Sequence, residues 1–414
     1  MKAKTKNSLI PWIMWGYVIL FFFYQFFVRV YPSALSNQLM NFFCIDANTL
    51  GMMVGLYYLS YTFMQVPIGI LLDKFGPRKV SVISVLCCAF GSYLFIAIDN
   101  FYLACFGRLL AGLGSAGGFC ACLKVASNWL NAKQLNIATT GTLSFGVLGA
   151  IAGIPAFAHM VTIFDWRTTV IITSLVGVAV AVIIFLRLKD SPDDDKKNVV
   201  EKKETVHVFE GLRMLICSKR IWIYFLYGFL MYAPISAFAD MWGIPMIKSM
   251  YNFSDTYTAF VVSSFYIGMV FGPVLSYIAE KFDNENVLMF VGSLSSAIVF
   301  YFIIFIKMNS ILLIASIAFC GFITSSQMFI YPMAIRQLPH SVSGVTSGFL
   351  NMAGMLSGSI LQPVIGKIIV LFWSGELINN ITPLYSTYSY QMGMLIVPVL
   401  LLISVPVAIL IGKK

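Results

Sequence analysis

Apolar runs of about twenty residues, long enough to cross a bilayer as helices, recur along the whole of this chain and limit what it can fold into more than any other feature. Backbone N–H and C=O groups find no partner in hydrocarbon, so such a run must be a helix or a strand of a closed barrel. The runs do not alternate apolar with polar residues, which argues for helices. Of the 414 residues, 59 % are hydrophobic and 11 % charged, with a mean hydropathy of +0.86. A water-soluble chain of that composition would expose large apolar patches. We read helices over 12–32, 49–72, 80–98, 101–127, 136–157, 166–186, 221–241, 255–279, 287–306, 310–333, 342–366 and 389–411.

The charge of +10 is explained by topology rather than by nucleic acid. With the N-terminus inside, twenty of the 27 Lys and Arg fall on the cytoplasmic side, which places both termini there. The eight cysteines form no C-x-x-C or His/Cys cluster and read as small buried hydrophobes. The first apolar run follows Lys2, Lys4 and Lys6 but lacks a small-residue cleavage site, so it reads as an uncleaved helix. With three histidines (His159, His207, His340) and no carboxylate pair, nucleophile elbow or metal spacing within the spans, an enzyme is not expected.

One loop is far richer than a basic turn: Gly69-Ile70-Leu71-Leu72-Asp73-Lys74-Phe75-Gly76-Pro77-Arg78-Lys79. Gly69 and Gly76 permit close backbone approach or positive φ, Pro77 stops the incoming helix, and Asp73 sits among the open polar groups of a helix end. In helix 4, Gly107-Arg108-Leu109-Leu110-Ala111-Gly112-Leu113-Gly114 puts an arginine in the span, followed by spaced glycines. Both stretches resemble motifs of the major facilitator superfamily of secondary transporters. Sliding the sequence by 207 residues sets Glu280-Lys281-Phe282 over Asp73-Lys74-Phe75, as expected of two parallel repeats. The fold class expected is therefore all-α integral membrane, with twelve transmembrane helices in two pseudo-symmetric six-helix bundles. Residues 1–188 form the first bundle, 189–219 a solvated linker and 220–414 the second.

Candidate site residues follow from polar groups in the spans. Gln25 and Arg29 lie one turn apart on helix 1, where Arg29 either faces protein and water or snorkels to the outer headgroups. Tyr57, Tyr61 and Gln65 form a stripe on helix 2 that either lines an aqueous path or packs. Lys124 either joins a central cavity or snorkels. Gln327 and Asn351 are the cavity candidates of the second half. Six tryptophans, Trp242 among them, sit near predicted span ends as an interfacial belt does.

The resemblance implies alternating access, with Gly69, Asp73, Lys74, Gly76, Arg78, Lys79, Arg108 and Glu280 governing conformational balance through a latch of about 1–3 kcal/mol. Arg29, Arg108 and Lys124 against almost no acid but Asp240, near the end of helix 7, favour a small anionic or zwitterionic organic solute. Arg29 with Ser33 and Ala34 resembles the organic-anion branch of the superfamily, although Val28 stands where an acid often precedes that arginine. Gly107-Arg108, Trp129 and Gln134-Leu135-Asn136 resemble the lysosomal dipeptide-transporter branch, but Ala116 and Val147 occupy the positions that would hold peptide termini. The expectation is a facilitative or secondary active transporter in a bacterial-type inner membrane, monomeric, without cofactor, the coupling ion (H+ or Na+) open. A dipeptide or siderophore-type carrier and a non-transporting nutrient sensor are the alternatives.

Overall fold

The computed structural model describes residues 9–97, 99–192, 208–282, 284–339, 342–378 and 382–412; the side chain of Glu280 lies outside it. Among the described residues twelve helices can cross a membrane: α1 (Ile10–Phe43), α2 (Ala47–Phe75), α3 (Pro77–Ile96), α4 (Phe101–Trp129), α5 (Ser144–Ile163), α6 (Trp166–Arg187), α7 (Lys219–Tyr251), α8 (Asp255–Ala279), α9 (Glu285–Phe305), α10 (Ser310–Ile335), α11 (Gly344–Leu371) and α12 (Thr387–Gly412). A short helix, Val208–Cys217, precedes α7. Between α11 and α12, β1 (Leu377–Ile378) pairs antiparallel with β2 (Thr382–Pro383), Leu377 opposite Pro383.

Short polar side chains start these helices where the loops place them. Asp46 accepts from the Thr49 amide at 2.8 Å, Asn100 from Leu103 at 3.1 Å and Asn309 from Leu312 at 2.9 Å, each satisfying an open N–H of a first turn. Asp165 caps α6, and hydrogen bonds from the hydroxyl and amide of Thr168 hold its carboxyl below the usual range. At the junction of α2 and α3, Gly76 takes φ +82° and Pro77 opens the next helix, where its missing N–H costs nothing.

Three spans depart from regular α-helix over a stretch: α10, which winds as a 3₁₀ turn at Ser325–Phe329, and α1 and α7. Pro32 cannot donate, and Tyr31–Leu35 winds as a 3₁₀ turn before α1 resumes at Ser36. In α7, Pro234 removes another donor, the Tyr232 carbonyl accepts from both Ile235 and Ser236 at 3.0 Å, and Pro234–Trp242 widens into π-helical turns. The sequence reading gives helix 7 the range 221–241. In the structure it runs to Tyr251, which leaves Asp240 well inside the span rather than near its end. Trp242, expected at the interface, is fully buried and donates to the Gln362 carbonyl at 3.1 Å.

Helices α1–α6 pack as one bundle and α7–α12 as the other, joined by three crossings: α2 on α11, α5 on α8, and α1 on α7. The first two are related by a shift of six helices, the symmetry of two parallel repeats. The α2–α11 crossing is tight at the Ala47 end. A Cβ at Gly51 would lie 2.4 Å from the Gln362 carbonyl oxygen, one at Gly366 2.3 Å from that of Ala47, and one at Gly358 2.4 Å from the Tyr58 ring. At the opposite end of the same two helices, a Cβ at Gly69, Gly344 or Gly348 would meet nothing within 4 Å among the described residues. The bundles therefore touch backbone to backbone at the Ala47 end, whereas these three glycines at the end that carries the Asp73 loop bring no such contact.

Candidate functional site

The centre of the bundle interface is built around Arg29. It is 3 % exposed, so it does not snorkel in this conformation. Its Nε lies 3.5 Å from Oδ2 of Asp240, its Nη1 donates to the Tyr232 hydroxyl at 3.2 Å, and its guanidinium lies 4.1 Å from the centre of the Phe26 ring. Asp240, completely buried, accepts a hydroxyl on each oxygen: Tyr58 on Oδ2 and Tyr266 on Oδ1. The ion pair joins α1 of one bundle to α7 of the other, with donors from α2 and α8. Leaving a carboxylate alone in such a place would cost several kcal/mol; one guanidinium and two phenols surround it instead.

Arg108, also buried, faces a different set. Pro32 has no amide to give to the carbonyl four residues back, which is that of Val28. Arg108 Nη1 donates to that oxygen at 3.1 Å, and Nη2 to the Arg29 carbonyl at 3.5 Å. The guanidinium lies 4.8 Å from the centre of the Tyr57 ring and 5.6 Å from that of Phe95. Among the described residues no carboxylate pairs with it. The buried charges of Arg29, Arg108 and Asp240 are thus two guanidiniums against one carboxylate, the contacts of Arg108 all coming from the first bundle among the described residues.

The polar amides lie around this pair. Gln25 accepts from the Tyr57 hydroxyl at 3.1 Å. Asn351 of α11 donates to Gln65 of α2 across the interface at 3.2 Å. Gln65 Nε2, Gln327 Nε2 and Arg108 Nε are buried donors without an acceptor among the described residues. Tyr57 and Tyr61 are buried in the same stripe as Gln65.

Lys124 does not join Arg29. Its Nζ lies 2.5 Å from Asp73 Oδ1, half-exposed, tying α4 to the end of α2. The rest of the loop is held within its own bundle: Arg78 donates to the Phe185 carbonyl at 2.6 and 3.0 Å through Nη2 and Nε, and its amide donates to Asp190 at 2.7 Å. Gly76 leaves room for that carboxylate, which a Cβ would meet at 2.8 Å. Gly69 and Lys79 touch none of this, and Lys74 lies over the Phe75 ring. The side chain of Glu280, expected to take part in gating, lies outside the description; in that region Glu285 pairs with Arg336 at 3.1 Å.

Sequence reasoning missed Asp240, Tyr58, Tyr232 and Tyr266. The signal for Asp240 was available, since it is an acid inside an apolar span, but its expected place near a helix end removed the weight from it.

Two six-helix bundles around a buried polar interface define a membrane carrier. The chain belongs to the Major Facilitator Superfamily, whose family model matches residues 17–363. It is similar to the uncharacterized transporter YybO of Bacillus subtilis (strain 168), 25 % identical over 360 residues covering 81 % of this chain and 82 % of that one. It is also similar to the probable sulfoacetate transporter SauU of Cupriavidus necator, 21 % identical over 392 residues covering 89 % and 88 %. In fold it matches a bacterial homolog of the human lysosomal transporter Spinster in an inward-facing, unoccupied conformation, with a TM-score of 0.81 at 14 % identity over 98 % of both chains.

Proposed function

We propose that this chain carries a small organic anion by alternating access, the solute binding between Arg29 and Arg108 at the bundle interface. The observation that carries this reading is the imbalance of the buried groups: two guanidiniums stand against one carboxylate, and Gln65 Nε2 and Gln327 Nε2, like the Nε of Arg108 itself, lack acceptors among the described residues. A solute rich in acceptors and bearing negative charge would complete both sets at once. The relative named as a probable sulfoacetate transporter supports the same class, because sulfoacetate carries a sulfonate and a carboxylate.

The uneven α2–α11 crossing supports the alternating part. With the Asp73 loop in the cytoplasm, as the Lys and Arg distribution suggests, the looser end would face inward and the Gly51–Gly366 end would close off the outside. Reorientation then requires the bundles to close over Gly69, Gly344 and Gly348. Asp73, released from Lys124, is placed to engage the start of α11 when they do.

The test is a thermal-shift screen of the purified protein against sulfoacetate, dicarboxylates, sugar acids, amino acids and small peptides, followed by uptake into vesicles. An anion should raise the melting temperature in proportion to RT ln(1 + [L]/Kd), and Arg29→Ala should remove the shift. Stabilisation by neutral or cationic compounds alone would refute the anion class.

A further inference from the structure

Resting on that reading, we infer that Asp240 occupies the place of the solute's own acid group in the empty carrier, and that the solute anion displaces it from Arg29 with uptake of one proton on Asp240. The geometry leads there directly. Arg29 is the only cation that faces Asp240 among the described residues, and Asp240 is its only carboxylate. Around Asp240 stand Tyr58 from α2, Tyr266 from α8 and, eight residues earlier on α7, Tyr232, whose hydroxyl accepts a hydrogen bond from Arg29 Nη1. From α11, Gln362 reaches only the preceding turn, donating to the Ser236 carbonyl at 3.0 Å. No acid or base of α10, α11 or α12 pairs with Asp240 among the described residues.

A carboxylate or sulfonate that takes the Nε face of Arg29, the face turned to Asp240, displaces that carboxylate. Asp240 would then be a buried anion without its cation, beside a second anion. Like charges at that distance do not both stay ionised in a dry site. The proton comes from water on the open side and goes to an Asp240 oxygen, turning the carboxylate into an acid that can still accept from Tyr58 or Tyr266. No bond other than O–H forms, and the charge at the interface changes by that of one proton and one solute.

The sign of the pH effect follows. In the structure Asp240 is paired with the Arg29 guanidinium and accepts from two phenols; in the proposed exchange the solute takes the guanidinium and Asp240 takes a proton. Between these two conditions binding takes up a proton, so lowering the pH tightens it, by about tenfold per unit where the coupling is complete. The bond given up also crosses the bundles, so the exchange loosens the α1–α7 contact when solute is bound.

The experiment is titration of the full-length purified protein with sulfoacetate and with succinate and tartrate across pH, in wild type, Asp240→Asn and Tyr266→Phe. Wild type should bind more tightly as pH falls. Asp240→Asn should lose that slope and bind about tenfold or more tightly at neutral pH, since the internal competitor is gone. Tyr266→Phe, which removes one donor to the carboxylate, should keep the slope and move it to higher pH. If Asp240→Asn does not melt cooperatively, the Tyr266→Phe displacement decides alone. A wild-type slope that persists in a folded Asp240→Asn, or a Tyr266→Phe profile superimposed on wild type, overturns the exchange while leaving the anion reading standing. Wild-type protein that binds none of these anions overturns both.

Discussion

Arg108 Nη1 donates at 3.1 Å to the Val28 carbonyl, the oxygen that Pro32 leaves without an intrahelical partner. A helix defect on α1 is thereby repaired from α4, and the repair sets the cation beside Arg29. Two magnitudes oppose one another here. Hydrogen bonds from a charged group contribute about 1.5–3 kcal/mol, whereas burying a charge without a counter-ion costs several. The second wins, so Arg108→Met should leave the melting temperature unchanged or raise it while weakening anion binding about tenfold or more. Pro32→Ala, which restores a donor for Val28, should lower affinity without unfolding the protein. A large loss of stability in Arg108→Met would mean that the carbonyl contact outweighs the desolvation.

The glycines of the α2–α11 crossing give a paired test. Gly51→Val places side-chain atoms against the Gln362 backbone, which cannot retreat, and should cost about 1–3 kcal/mol by overpacking. Gly348→Ala adds a methyl in open space within a helix and should be neutral or stabilising by about 0.5–1 kcal/mol. Denaturation midpoints in detergent read both. Gly348→Trp should keep stability and abolish uptake, because the parted end would no longer close; uptake at the wild-type rate would count against reorientation at this crossing.

Exposure limits what the Asp73 loop contributes. Lys124 and Asp73 are 34 % and 71 % exposed, and a solvated pair is worth about 0–1 kcal/mol. Asp73→Asn and Lys124→Ala should therefore shift turnover by about fivefold or less through this contact, with the double variant no worse than the stronger single. A larger loss confined to Asp73→Asn would reveal a second partner for the acid, engaged when the bundles close over this end. Anion affinity should hardly move in either.

Arg78 and Asp190 fasten the same loop to the end of α6. Arg78→Ala removes two bonds to the Phe185 carbonyl and frees the chain that leads into the linker. Faster limited proteolysis near residue 190, with little change in anion binding, is the expected outcome; unchanged cleavage would show that Asn128 and Trp129, which donate to the Asp190 and Lys189 carbonyls, suffice.

Much of the architecture is legible because membrane helices must satisfy their backbones internally and carry their apolar length in sequence. Arg29, Arg108, Gln65 and Asn351 stood out as polar groups where polarity is costly. What could not be read is pairing across the bundles. Nothing in sequence spacing joins Arg29 to Asp240, or Lys124 to Asp73, since each pair is set by how rigid helices meet. Pro32 and Pro234 each alter a helix in a way that no periodicity predicts: one exposes the oxygen that captures Arg108, the other widens the turns around the acid. Counting charges along the spans therefore overstated the free positive charge, because one cation already has a partner in α7 and another points to the loop.

Two buried guanidiniums, of Arg29 and Arg108, against one buried carboxylate, of Asp240, leave one unit of positive charge among these groups. When the bundles reorient, the barrier to solvent passes from one side of that charge to the other, and the transmembrane voltage falls across it in opposite senses. Each elementary charge carried through the field is worth about 2.3 kcal/mol per 100 mV. In the proposed cycle the return of the unloaded carrier is then electrogenic, and an interior-negative cell draws it toward the inward-facing conformation. A monoanion arriving with a proton would keep that charge on the loaded carrier, while a dianion with a proton would cancel it, so the current measured on a supported bilayer reports the valence of the solute.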